Sequence, residues 1–154
     1  MTLANFLIGL PMTLLCLVVQ TGVTYWCVRR YVRQSTGPAI RRGFISGVRQ
    51  LLVAMLAMMV GNMVQIMLWG TLFMWLGEFG EFYDAVYHSA VNFTSLGYGD
   101  IVMSRNRKLL GPLEALDGVL MLGMTAAALM AILQRMNKLQ VEVIVGREKA
   151  EKDD

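Results

Sequence analysis

Three long stretches of this 154-residue chain consist almost entirely of apolar side chains. The first charged residue is Arg29, so residues 1–28 form one uncharged run, and Leu51–Leu76 forms a second. A third apolar run extends from about Pro112 to Leu133. About 20 helical residues cross the hydrocarbon core of a bilayer, so each run is long enough to span it. The pattern predicts an all-α integral membrane protein with three transmembrane helices.

The first run has two interpretations, a transmembrane helix and a secretory signal peptide. A signal peptide needs a basic start, a shorter apolar centre and a cleavage site of small residues. This segment opens with no cation and ends on Tyr25, Trp26 and Cys27. Aromatic residues beside a basic segment are typical of a membrane interface. We therefore expect residues 1–28 to be retained as the first span.

The basic residues predict the orientation of the spans. Two segments carry eleven of the fourteen cations: Arg29, Arg30, Arg33, Arg41, Arg42, Arg49, Arg135, Lys138, Arg147, Lys149 and Lys152. Segments rich in Lys and Arg stay on the cytoplasmic side of a membrane. We expect the connection between the second and third spans, and the N-terminus, to lie outside.

The overall composition gives little support to an enzyme. Hydrophobic residues make up 56% and charged residues 16%, whereas soluble proteins have about 25% charged residues. The two cysteines, Cys16 and Cys27, would lie about 16 Å apart on one helix, too far for a disulfide. With a single histidine, no metal-site or nucleophile motif is present. We expect neither catalysis nor a cofactor.

The basic segment at Arg29–Arg49 is explained by membrane topology rather than by nucleic-acid binding. Contact with anionic lipid is a second interpretation.

The connection between the second and third spans contains the most specific motif. Residues 81–95 are moderately apolar and too short to cross a bilayer, and Asp84 is placed to open a short helix there. Residues 94–100 then read Thr-Ser-Leu-Gly-Tyr-Gly-Asp. A Gly-Tyr-Gly-Asp string arises by chance about once in 10⁵ windows.

Alternate glycines allow backbone angles that let successive carbonyls point toward one axis. Four chains around that axis would replace the hydration shell of a cation.

This motif, with its position before a span, resembles the potassium channel family. The resemblance covers Leu51 to about Leu133 and implies an outer helix, a re-entrant pore helix, a selectivity filter and an inner helix. It implies a homotetramer that conducts K⁺ passively, of a small prokaryotic type in the inner (plasma) membrane. The predicted organisation is an N-terminal transmembrane helix (1–28), a basic cytoplasmic loop (29–50), the pore domain (51–133) and a cytoplasmic tail (134–154).

The resemblance also implies roles for individual residues. Six residues would form the filter: Thr94, Ser95, Leu96, Gly97, Tyr98 and Gly99. K⁺ would bind at four of them, Ser95, Leu96, Gly97 and Tyr98. Asp100 would tether the filter from behind, and Tyr87 is a candidate partner for Tyr98. Ser95 replaces the usual threonine and keeps the hydroxyl ligand, while Leu96 replaces valine or isoleucine.

The third span has two candidate glycine hinges and one candidate pore face. The resemblance places hinges at Gly118 and Gly123, although glycines in a transmembrane helix also serve close packing. The cavity or gate would be lined by Val119, Leu122, Ala126 and Met130.

Several polar residues lie within apolar surroundings. Asn62 and Gln65, one turn apart, are expected to make interhelical hydrogen bonds rather than ligand contacts. Asp117 is expected to tune the stability of the filter. Its side chain is expected to lie near the outer water, to be protonated, or to be hydrogen-bonded to the pore helix through Asn92. His88 is expected to be packed rather than to sense pH.

Two other functions remain open at this point. A nonselective monovalent cation channel would use the same scaffold, but its filter generally departs from Gly-Tyr-Gly. A non-conducting membrane subunit could retain the motif.

Overall fold

The computed structural model describes residues 2–35 and 44–153, which form four α-helices and no strand. The helices are α1 (Thr2–Ser35), α2 (Phe44–Trp75), α3 (Phe82–Phe93) and α4 (Leu110–Asp153). Three of them contain segments long and apolar enough to cross a membrane: Thr2–Arg33, Gly47–Trp75 and Leu110–Lys138. The expected all-α membrane fold is confirmed.

The helices extend beyond the apolar runs that predicted them. The segment expected to be a basic loop, 29–50, is helical at 29–35 and 44–50, and its middle, 36–43, lies outside the described residues. The expected tail, 134–154, continues α4 as far as Asp153. Hydropathy marks where a helix leaves the membrane, and Lys, Arg and Glu are good helix formers in water. The segment 29–50 is therefore not a loop throughout, because both of its described ends are helical.

Helix α1 contains Pro11 without ending there. Membrane helices tolerate an internal proline because neighbouring groups satisfy the freed carbonyl. On the buried side of α1, Cys16 and Cys27 are free thiols packed in the interior. Gly9 and Gly61 lie where α1 approaches its neighbours, since an added Cβ would press on Leu113 of α4 or Val23 of α1 respectively.

A polar cluster joins α1, α2 and α4 within the apolar interior. The Gln65 side-chain amide donates to Gln20 Oε1 at 2.7 Å, and Gln20 Nε2 donates to Thr125 Oγ1 at 2.7 Å. Asn62 Nδ2 lies 3.5 Å from the same Thr125 hydroxyl. The contacts agree with the interhelical interpretation of Asn62 and Gln65. Gln20 and Thr125 are partners that the sequence did not single out.

Helix α3 packs against α2 and α4. Gly70 on α2 permits close approach, because a Cβ there would lie 3.2 Å from the Val86 backbone nitrogen. The buried side chains around α3 include Trp69, Phe73 and Phe93. This packing fixes where the chain leaves α3, and therefore where the Gly-Tyr-Gly segment begins.

We predict that Gln20→Leu weakens the attachment of α1. The substitution removes the hydrogen bonds to Gln65 and Thr125 and a longer one, of 3.8 Å, to Met58 Sδ. Intramembrane hydrogen bonds average about 0.6 kcal/mol, so the two short bonds alone give an expected loss of about 1 kcal/mol. Equilibrium unfolding in mixed micelles measures it. Thr21→Val is the matched control, because Thr21 is the exposed neighbour of Gln20. Equal stability of the two variants would contradict a structural role for the cluster.

Candidate ion-conduction site

The chain reverses direction immediately after α3 through a turn held by backbone hydrogen bonds. The amide of Ser95 donates to the Asn92 carbonyl at 2.8 Å. The amides of Leu96 and Gly97 both donate to the Val91 carbonyl, at 2.9 and 3.3 Å. Three successive amides thus point back toward the last turn of α3.

The same hydrogen bonds orient the carbonyl groups of this turn. In a planar trans peptide, the N–H of one residue is antiparallel to the C=O of the residue before it. The carbonyls of Thr94, Ser95 and Leu96 therefore point away from the last turn of α3. Their oxygens are free to receive a ligand.

Backbone angles alternate along the segment that follows. Ser95, Gly97 and Gly99 have positive φ values of 60°, 59° and 72°, whereas Leu96 and Tyr98 between them do not. This alternation is what allows successive carbonyls to face one side. Glycine adopts such angles at little cost, while a serine there stores about 1–3 kcal/mol. The strained serine is a feature that the sequence did not predict.

All seven residues from Thr94 to Asp100 are exposed in the single chain. Leu96 is 58% and Tyr98 66% exposed. We call residues 94–99 the filter strip. One chain offers oxygens on one side only, so it cannot by itself surround an ion.

Asp100 is tied to α3 behind the filter strip. The Tyr87 hydroxyl donates to Asp100 Oδ2 at 2.7 Å, and Asp100 Oδ1 accepts from the Ile101 amide at 3.0 Å. The structure thus pairs Tyr87 with Asp100, whereas the sequence suggested Tyr98 as its partner. The Tyr87 hydrogen bond lowers the pKa of Asp100, and the same bond raises the pKa of Tyr87. Asp100 therefore stays ionised at neutral pH.

His88 lies inside the packing between α3 and the segment after the filter strip. Its Nδ1 is 2.9 Å from the Ile101 carbonyl, and its Nε2 is 2.9 Å from Asn92 Nδ2. A neutral ring with its proton on Nδ1 satisfies both contacts, as a donor to Ile101 and an acceptor from Asn92. The rings of Phe73 and Phe79 lie 5.7 and 5.0 Å away. Burial lowers the pKa of His88, in keeping with a packed residue.

Helix α4 packs at backbone distance against the end of α3 at Gly118. A Cβ at this position would overlap the Phe93 carbonyl group. Gly123, in contrast, has no neighbour within 4 Å of an added Cβ. The contact at Gly118 is close packing between helices, and hinge motion at either glycine remains a prediction.

The four predicted cavity residues share one face of α4. They recur at intervals of three and four residues, the spacing of one helical face. All four are exposed in the single chain: Val119, Leu122, Ala126 and Met130. This face is available to line a path or to meet another subunit.

Two fully buried carboxyl groups lie on the other side of α4. Asp117 Oδ2 accepts from the Trp69 indole at 2.8 Å, so its partner is on α2 and not the suggested Asn92. Glu114 instead reaches the pore helix, where Ser89 Oγ lies within hydrogen-bond distance of both Glu114 Oε1 and the Ile66 carbonyl. A hydroxyl has one proton and can donate to only one of them. The sequence signal for Glu114 was its spacing of three residues from Asp117, which places both acids on one face.

The oxygen atoms that this site offers to a ligand belong to the backbone rather than to a side-chain cluster. Among the side chains that the structure describes, no group of three or more His, Cys, Asp or Glu residues is arranged to hold a metal. The filter strip, with the carbonyls of Thr94, Ser95 and Leu96 directed away from α3 and the Ser95 hydroxyl, offers oxygens suited to a weakly held monovalent cation.

Comparison with known families identifies the class of protein. A family model described as ion channel matches residues 52–135, more than half of the chain. The matched segment holds most of α2, all of α3, the filter strip and the spanning part of α4. The chain belongs to this ion-channel family, which has a potassium-channel-type pore module of two transmembrane helices. Searches of curated proteins and of solved structures found no match.

We predict that Gly118→Ala destabilises the fold. Its methyl group would be forced against the Phe93 backbone, and overpacking costs about 1–3 kcal/mol. Gly123→Ala adds the same methyl in open space, and alanine is about 1 kcal/mol better than glycine in a helix. We therefore expect a lowered melting temperature for Gly118→Ala alone, as measured by thermal unfolding in detergent. Equal melting temperatures would contradict the packing role.

We predict that Tyr87→Phe raises the pKa of Asp100 toward the ordinary value of 3.8. In the folded protein the Tyr87 hydrogen bond favours the ionised carboxylate. The stability from this bond is therefore complete above about pH 4 and is lost as the pH falls through the lowered pKa of Asp100. Carbon-13 NMR titration of the aspartate carboxyls measures the shift. Tyr83→Phe is the control, because Tyr83 stacks on Tyr87. An unchanged titration in Tyr87→Phe would refute the tether.

Proposed function

We propose that this protein is a potassium-selective channel that conducts K⁺ passively through a filter made by four copies of Ser95–Gly99. The alternating backbone of the filter strip carries the proposal. Because three amides are occupied by α3, the opposite oxygens are left to coordinate ions. Irregular backbone at membrane depth is tolerated only where it is buried or lines a path.

The chemistry of the filter strip favours a dehydrated monovalent cation. Neutral carbonyl oxygens replace water ligands, and stacked rings of them hold an ion without a single site too strong to leave. The Ser95 hydroxyl supplies a further oxygen at the inner end. Helix α3 ends at Phe93, so the partial negative charge of its C-terminus adjoins the same end and also favours cations.

The exposed surfaces support a tetramer. The filter strip is exposed in one chain, and so is the face of α4 that carries Val119, Leu122, Ala126 and Met130, here called the Val119 face. Each of these surfaces carries large apolar side chains. Four copies around one axis would enclose the strip and place the Val119 face below it. K⁺ would then pass from one oxygen ring to the next, driven by its electrochemical gradient.

The proposed topology follows the distribution of charge. The N-terminus lies outside and the Arg29–Arg49 segment and C-terminus are cytoplasmic, because these segments hold most of the cations. The proposed location is the inner (plasma) membrane of a prokaryote. Helix α1 has no arginine before Arg29, so we do not expect steep voltage dependence, which requires gating charges inside the membrane.

Reversal potentials of the purified protein in planar bilayers test this function. With K⁺ on one side and Na⁺ on the other, we expect currents that reverse near the K⁺ equilibrium potential. Gly97→Ala should abolish them, because its φ of 59° strains any side chain. Gly22→Ala should conduct normally, since Gly22 lies on α1 with no neighbour within 4 Å of an added Cβ.

The other outcomes identify the alternatives. A reversal potential near zero with robust current would show a nonselective cation channel. Absence of current from protein that remains tetrameric by native mass spectrometry would show a non-conducting subunit. Either result would refute the proposal.

A further inference from the structure

A cavity of about 350 Å³ lies between α1, α2 and α4, at the end of α2 farthest from the filter strip. Its walls come from nine side chains on the three helices: Trp26, Cys27, Arg30 and Tyr31 of α1, Arg49, Gln50, Val53 and Ala54 of α2, and Ile132 of α4. Most of this lining precedes residue 52, where the family match begins. The cavity therefore lies where the added helix meets the pore module.

The lining changes from charged to apolar along the helix axes. Arg30 and Arg49 lie near the ends of the spanning segments, which stop at Arg33 and start at Gly47. Ala54 is five residues beyond Arg49, which places it about 7.5 Å deeper. Buried Cys27 and Ile132 complete the apolar part. A cavity that is cationic at headgroup level and apolar at acyl level matches the profile of a phospholipid.

The two arginines have no acidic counterpart nearby in the sequence. The chain contains no Asp or Glu before Glu78, and neither guanidinium has a carboxylate partner among the described residues. The Arg30 guanidinium lies 5.4 Å from the centre of the Trp26 ring, which holds it at the cavity. Arginine is always charged, and its planar donors suit phosphate oxygens.

We propose that this cavity binds an anionic phospholipid from the leaflet at this end of the helices. Arg30 and Arg49 hold the phosphate, while Cys27, Ala54 and Ile132 contact the glycerol and the start of an acyl chain. Free phosphate would use only the charged end and leave the apolar part empty, so the lining favours the lipid. The inference rests on the spanning of α1 and α2 and not on ion selectivity.

Quenching of Trp26 fluorescence by brominated lipids tests the site. The full-length protein is reconstituted in phosphatidylcholine containing brominated phosphatidylglycerol or, separately, brominated phosphatidylcholine. Subtracting the signal of Trp26→Phe isolates Trp26 from the other two tryptophans. We expect the anionic lipid to be preferred at Trp26 by about fivefold or more, the effect of one arginine near an anionic headgroup.

Two double variants with the same loss of charge separate a built site from general surface attraction. Arg30→Gln/Arg49→Gln should abolish the preference. Arg29→Gln/Arg33→Gln should keep it, because these arginines lie on the same end of α1 but do not line the cavity. Circular dichroism and gel filtration show that each variant is folded before quenching is measured.

Three results would overturn the inference. Equal loss of preference in the two double variants would mean diffuse attraction by the basic end. Equal quenching by both brominated lipids would mean that no anionic lipid is selected. Displacement of the brominated lipid by millimolar inorganic phosphate would mean that the cavity takes a soluble anion. Flux measured on the same vesicles reports the channel function separately.

Discussion

Peptide carbonyls at membrane depth need a hydrogen-bond donor or a cation as a partner. This requirement determines the backbone structure around the filter strip. Three amides in the turn after α3 are used by α3 itself, so the carbonyls of Thr94, Ser95 and Leu96 are left directed away from it. Positive φ values at Ser95, Gly97 and Gly99 continue this arrangement. In the proposed tetramer, a cation shared by several copies of the strip would satisfy these oxygens. Under this proposal, conduction would follow from how the backbone is hydrogen-bonded.

The rest of the chain holds that backbone in place. Gly70 on α2 and Gly118 on α4 let both helices reach α3 at backbone distance. Glu114 contacts Ser89 of α3, and Tyr87 holds Asp100 beyond the strip. Polar groups therefore fix the geometry at several points, while the apolar interior supplies most of the packing area. Helix α1 joins this scaffold from outside the family-matched segment through its own polar cluster.

The sequence predicted the parts that depend on local pattern. Uninterrupted apolar runs located three spans, and the Gly-Tyr-Gly-Asp string located the filter strip. It did not predict that α4 continues to Asp153, because hydropathy reports the membrane rather than the helix end. The Trp69 partner of Asp117 and the Asp100 partner of Tyr87 were also missed. Such pairs depend on how each helix is rotated about its axis, and helices that are apolar all round carry little signal for that rotation.

Anomalous X-ray scattering from crystals of the channel soaked in Rb⁺, an ion of nearly the same size as K⁺, tests the central claim most directly. The account predicts separate Rb⁺ peaks in a line on a fourfold axis, each next to carbonyl oxygens of Ser95, Leu96, Gly97 or Tyr98. Filter strips that face different directions without a common axis, or an axis with no Rb⁺ peak beside these oxygens, would contradict it.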